Sequence, residues 1–186
     1  MTLSVVGLLL LGWLIVLAAL TARLETGRSG FFLQDRVGRE GRLFKIVKIR
    51  TMRHIDGYNT HVTTKDDPRI SRIGKFWRKT KIDELPQLWN VLKGEMSFVG
   101  PRPDIPGFAD RLRGRDRILL SIRPGITGPA TLKFKDEEQI LALQPDPEKY
   151  NRNVIWPEKV RLNIEYIDNY SLWNDINFIL KTVIQF

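Results

Sequence analysis

The chain contains no cysteine and only two histidines, His54 and His61. Disulfides and thiolate metal sites are therefore excluded, and so is a three-histidine zinc site. A histidine-based triad has few candidates. No G-x-x-x-x-G-K-[ST] loop and no G-x-G-x-x-G turn occurs, so the common nucleotide fingerprints are absent. Internal repeats and low-complexity linkers are lacking too. Acidic residues are in deficit: 21 Asp and Glu stand against 30 Lys and Arg, a net charge of +9. Such a balance suits an anionic partner, whether phosphate, nucleic acid or acidic lipid. The metal ligands on offer are carboxylates and carbonyls, which suit Mg²⁺ or a similar hard cation. A length of 186 residues suits one domain.

What is present centres on Lys81 to Gly94. Pro86 fits a first helical turn, and Leu85, Leu88, Trp89 and Leu92 fall at i, i+3, i+4, i+7. That spacing predicts one buried stripe, ended by Gly94. Asp83 is then expected at or beside the N-cap, where the helix dipole favours its ionised form. Glu84 points about 100° away around the axis. The pair suits two separate roles better than one shared proton. Plain helix capping explains the same residues.

One long apolar run, Leu3 to Leu20, carries no charge and reaches about 27 Å as a helix. A cleaved signal peptide is disfavoured, since no basic stretch precedes the run. A spanning helix would leave Arg23 and Arg28 on the cytoplasmic side. A helix that bends at Gly12 and leaves by the same leaflet is the other reading, with Trp13 at the interface. Physics of the run alone favours spanning.

Beyond a Gly27 to Gly30 turn, residues 31–34 and 43–49 read as a hairpin. Its polar positions are basic: Arg36, Arg39, Arg42, Lys45, Lys48 and Arg50. A solvated face is the ordinary explanation, lipid phosphates the other. Residues 53–69 read as a polar loop, with Asp66 and Asp67 as turn residues more than metal ligands. Ile70, Ile73, Phe76 and Trp77 form an apolar stripe opposite Arg69, Arg72, Lys75 and Lys79. This is either a helix on an anionic bilayer or an ordinary surface helix. Arg78 and Lys81 bring cations toward Asp83.

Pro101-Arg102-Pro103 presents one arginine on a stiff loop, and Arg123 to Pro129 forms a second loop whose glycines permit close backbone approach. Residues 105–120 are expected to be helical. Short helices are expected over 136–143 and from Pro157, and a last helix after Ser171 has a wide apolar face, for the core or for lipid.

These residues together resemble the bacterial sugar transferase family, the monotopic polyprenol-phosphate phosphoglycosyl transferases. The resemblance runs through Phe32 to Gly38, Lys48 to Met52, Asp66 to Gly74, Asp83 to Gly94, Val99 to Pro103, Arg123 to Gly128 and Tyr170 to Trp173. It implies an α-rich α+β fold. A membrane-inserted helix over 1–26 would precede a compact cytoplasmic catalytic domain over 27–186, with a small β-hairpin and amphipathic interfacial helices. It implies transfer of a phosphosugar from a UDP-sugar to polyprenol phosphate, commonly undecaprenyl phosphate, releasing UMP through an aspartyl intermediate. Asp83 would be the nucleophile and Mg²⁺ ligand, and Glu84 its catalytic partner. Arg78, Lys81, Pro101, Arg102, Pro103, Arg123, Gly125, Thr127 and Gly128 would bind substrate. The expected location is the cytoplasmic leaflet of the bacterial inner membrane, with no nucleic-acid partner and a homodimer allowed. Two departures stand out. The family commonly has Ser-Pro where this chain has Gly12-Trp13, which removes the strongest cause of a re-entrant bend. Re-entry is still expected, because Met1 leaves almost nothing to expose on the far side. Pro129-Ala130-Thr131 also stands where many members have Trp-Ala-Gln, so the sugar is not transferable. A membrane-tethered basic scaffold for anionic lipid or nucleic acid is the alternative function.

Overall fold

A computed structural model describes residues 2–58, 60 and 62–184. Met1, on which the topology expectation leans, lies outside the described residues. The protein is helix-rich with two small sheets. Helix α1 spans Thr2–Thr26 and runs through Gly12-Trp13 without interruption. It is long and apolar enough to cross a membrane. Its inner side is built from small residues. Ala18, Ala19 and Ala22 pack with Ile15 against Ile49 and Trp77. Near its start, Gly7 lies so close to Leu88 that a Cβ would sit 3.1 Å from Cδ1. At its end, Glu25 accepts the Ile73 N–H at 3.0 Å. Thus α1 is docked along its length, while Leu9, Leu10, Trp13 and Leu24 face outward, exposed.

Strands β1 (Phe31–Val37) and β2 (Leu43–Ile49) form the expected antiparallel hairpin, with Phe32 opposite Lys48 and Arg36 opposite Phe44. The even-numbered side chains share one buried face, while Val37 and Ile49 at the strand ends are buried on the other. Helix α2 (Arg72–Lys79) starts on Ser71, whose hydroxyl accepts from Gly74 N–H at 3.0 Å. Of the expected apolar stripe, Trp77 joins the core, whereas Phe76 is exposed.

The central helix differs from expectation. A 3₁₀ turn spans Ile82–Glu84, and α3 covers only Gln87–Leu92. Its buried residues are Gln87, Leu88, Asn90 and Val91, while Trp89 is 52% exposed. Asn90 explains the rotation. Its amide donates to Lys45 O and Glu95 Oε2 and accepts from Val47 N–H, which ties α3 to β2. A buried amide that makes three hydrogen bonds sets the helix face that apolar spacing assigned elsewhere. Gly94, at φ 76°, ends the helix as expected.

The two stiff loops form a second sheet. Strand β3 (Ser97–Val99) pairs in parallel with β4 (Gly125–Thr127). Residues 105–120 are not an α-helix; they hold 3₁₀ turns at Ala109–Arg111 and Gly114–Ser121. Helices α4 (Pro129–Lys133), α5 (Glu137–Ala142) and α6 (Pro147–Tyr150) follow. A π-turn (Asn151–Ile155) leads into α7 (Trp156–Asp168), which begins before the expected Pro157. Helix α8 (Leu172–Ile184) touches the body through Thr182 on Thr127 and Asp175 on Tyr166, yet buries none of its residues.

Candidate active site

Asp83 and Glu84 sit in the 3₁₀ turn, ahead of α3 and not at its N-cap. Lys81 enters that turn in the left-handed region at φ 54°. Asp83 is 6% exposed.

The two carboxylates have unequal surroundings. Glu84 accepts from both Arg102 nitrogens, at 3.0 and 2.6 Å, and from Gln87 Nε2 at 3.2 Å. Lys48 Nζ adds a fourth contact at 3.5 Å. Burial works against the charge on Glu84. The Arg102 fork and Lys48 outweigh it and hold the carboxyl well below the usual carboxylate range. Asp83 goes the other way. Burial, then the Glu84 charge, push it up to about 6, against the pull of Lys48, Arg78 and Lys81. This corrects the expected dipole effect. The dipole of a six-residue helix one turn away is outweighed by burial.

The same fold leaves Asp83 Oδ1 buried without a hydrogen-bond partner, together with Gln87 Oε1 and Arg36 Nε. Arg36 otherwise donates to Pro103 O at 3.1 Å and Gln34 Oε1 at 2.6 Å. Burial, then the Arg102 charge, lower it to about 10. Burial and the same charge bring Lys48 down to about 8. Asp104, next along the Pro-Arg-Pro loop, is pushed up to about 7 by burial.

The expected site residues divide into two groups. Arg102 reaches Glu84 directly, and the charges of Arg78 and Lys81 reach Asp83. Arg78 also meets Thr51 Oγ1 at 3.4 Å and forms an ion pair with Glu138. Pro101 and Pro103 serve through their carbonyls, which accept from Gly125 N–H and Arg36. The rest have other occupations. Arg123 is exposed beside Gly94, at the opposite end of α3 from the dyad. A Cβ on Gly125 would lie 2.2 Å from Gly100 N, and one on Gly128 2.5 Å from Gly100 O, so both glycines serve backbone packing. The Thr127 hydroxyl lies 2.6 Å from that of Thr182. Asp67 pairs with Arg69 at 2.7 Å, as a turn residue should.

Arg36, Lys48 and Gln87 lie within the motifs, which assign them no role in the site, and Glu138 lies outside every motif; in the folded chain all four touch, or bring charge to, the dyad or its arginines. For Lys48 a signal exists. It continues the inward row of Phe44 and Ile46, where an ordinary strand would place another apolar side chain. Among the described residues, no three acidic or histidine side chains cluster as a metal cage. Mg²⁺ still fits the donors present: the unpartnered Asp83 Oδ1 and Gln87 Oε1 are hard oxygens, and Mg²⁺ commonly completes its shell with water and substrate phosphate.

The bacterial sugar transferase family model matches residues 1–186. The chain belongs to that family. It is 36% identical over 192 residues to a galactosyl transferase, CpsE, of Streptococcus agalactiae, covering 97% of this chain and 39% of that one. A UDP-glucose:undecaprenyl-phosphate glucose-1-phosphate transferase of Caulobacter vibrioides is 37% identical, over 91% of this chain and 61% of the relative. A UDP-N-acetylgalactosamine-undecaprenyl-phosphate N-acetylgalactosaminephosphotransferase of Aeromonas hydrophila is 34% identical, over 97% and 40%. This sugar transferase chain therefore spans only part of the length of these relatives. Their names carry three different sugars.

Proposed function

We propose that the protein transfers a phosphosugar from a UDP-sugar to a polyprenol phosphate, undecaprenyl phosphate being the acceptor in the names of two relatives. The observation that carries this reading is the contrast within the dyad. Glu84 is fully engaged by Arg102, Lys48 and Gln87, while Asp83 keeps a buried oxygen without a partner, flanked by cations. An oxygen so placed suits attack on an electrophilic phosphorus. In the first step Asp83 Oδ1 forms a bond to the β-phosphorus, and the bond to the bridging oxygen breaks to release UMP. In the second, an oxygen of the polyprenol phosphate attacks that phosphorus and frees the carboxylate. Arg78 and Lys81 offset repulsion between carboxylate and phosphate, and Arg102 neutralises Glu84. Mg²⁺, held by Asp83, would supply charge neutralisation on the phosphate oxygens.

The reaction is assigned to the cytoplasmic leaflet. Because α1 is unbroken through Gly12-Trp13, it would lie along the interface of that leaflet without the expected bend; its docking from Gly7 to Ala22 supports this, since a crossing helix would carry α3 into the hydrocarbon. A basic scaffold accounts less well for a buried Asp83 at the focus of the cations. With detergent-solubilised protein, Mg²⁺, polyprenol phosphate and a panel of UDP-sugars, UMP release is expected for one or a few sugars and none from Asp83→Asn. Undiminished release from that variant would remove Asp83 from the chemistry. A cysteine at Thr2 is expected to label from the cytoplasmic side; labelling only from outside the cell would rule out single-leaflet insertion.

A further inference from the structure

We propose that Glu138 is a latch on Arg78, which a phosphate must displace in order to bind beside Asp83. This rests on reading the dyad as a phosphate-transfer site. Three cations act on Asp83: Lys48, Arg78 and Lys81. Lys48 is already in contact with Glu84. Arg78 is held by a carboxylate from a different element, Glu138 in α5, with its other terminal nitrogen near Thr51 Oγ1. Glu138 has no counterpart role in the dyad. It makes none of the contacts to Glu84, and its backbone carbonyl accepts from Lys65 N–H at 3.1 Å, which fixes α5 over the 53–69 loop. A carboxylate oxygen on a terminal arginine nitrogen occupies a position that a phosphate oxygen would use.

The consequence follows from competition. A binding site that is open for only part of the time weakens every ligand by the same factor. At a membrane surface the ambient anions are phosphodiester headgroups with one charge. A phosphate monoester carries between about one and a half and two at neutral pH. The latch therefore lowers the occupancy of Arg78 by headgroup, donor and acceptor phosphates alike and leaves their ratio unchanged.

The test needs no turnover. The full chain in detergent is titrated calorimetrically at pH 8 with inorganic phosphate and, separately, with dimethyl phosphate. Glu138→Gln is expected to tighten both by the same factor, about two- to fivefold for a latch of ordinary ion-pair strength. In an Arg78→Gln background the same change is expected to gain nothing. Glu137→Gln, which frees Lys159 instead, is expected to leave both affinities where they are. An E138Q chain that binds phosphate no better than the wild type overturns the latch. So does a gain that persists without Arg78, or an equal gain from E137Q. If UMP release fails while the Arg78-dependent gain holds, the assigned reaction falls and the latch stands; the reverse result removes the latch alone.

Discussion

Lys48 lies between two carboxylates of unequal character. It touches Glu84 at 3.5 Å, and its charge also reaches Asp83. Burial and the nearby Arg102 bring its ammonium down to about 8. Below that pH Lys48 is cationic and offsets the charges of Asp83 and of an incoming phosphate; above it that cation is lost. UMP release is therefore expected to fall on an alkaline limb near pH 8. Lys48→Arg, whose guanidinium stays charged, is expected to shift the limb upward by more than one unit. A pH–rate profile that is identical in the two proteins would show that Lys48 is not the titrating group. At this scale the motifs are half of the site. Asp83, Glu84 and Arg102 stand out as residues, but the partition of roles between the two carboxylates depends on which cations the hairpin and the Pro-Arg-Pro loop bring within reach. Arg36 illustrates the point. Read along the strand it belongs to a basic run, whereas in the folded chain it holds Pro103 O and lies beside Arg102.

Among the elements, β3 and β4 carry the clearest lesson. Glycines at 100, 125 and 128 resemble a loop that approaches phosphate, yet the structure uses them to bring two backbones together. Gly125→Ala places a Cβ 2.2 Å from Gly100 N, a distance that no side-chain adjustment relieves. We expect the variant to lose the β3–β4 register and to melt about 5 °C or more below the wild type, in line with a cost of about 2 kcal/mol or more in a chain of this size. A normal melting temperature with lost nucleotide binding would return Gly125 to the substrate. Helix α2 is simpler. Ser71 caps it, Gly74 fits under Thr51 O only because it lacks a Cβ, and Trp77 anchors it to α1. Its outer Phe76 and the exposed Trp89 of α3 are apolar positions that the core does not take up.

For the whole molecule, the exposed apolar surface is concentrated in α1 and α8. Trp173 is 79% exposed, and Leu172, Leu180, Val183 and Ile184 share the same helix. Patches of this size on a water-facing protein normally meet lipid or another chain. In a chain whose other four tryptophans are replaced by phenylalanine, Trp173 fluorescence is expected to shift to the blue on adding vesicles rich in anionic lipid, and to be quenched by brominated acyl chains. Trp173→Ser with Leu180→Ser is expected to weaken retention on those vesicles without lowering the melting temperature in detergent. A Trp173 that stays quenchable by aqueous iodide in the presence of vesicles would place α8 away from the bilayer.

Periodicity and residue chemistry were sufficient for several local elements, though not for residues 105–120, where 3₁₀ turns replace the expected helix. The apolar run makes α1, alternation makes the hairpin, and Gly94 stops α3. The ordered set of motifs along the chain was sufficient for the family. Each of these depends on neighbours in sequence, which the sequence displays. Only the tertiary structure decided which face of α3 is buried, because the Asn90 amide bonds to a strand some 45 residues away. Only it decided that Asp83 is raised and Glu84 lowered, because desolvation and the Arg102 fork come from packing. Only it put Glu138 on Arg78, 60 residues apart in the chain. Long-range contacts select the partners of a charge, and in a buried site the partners determine what the charge can do.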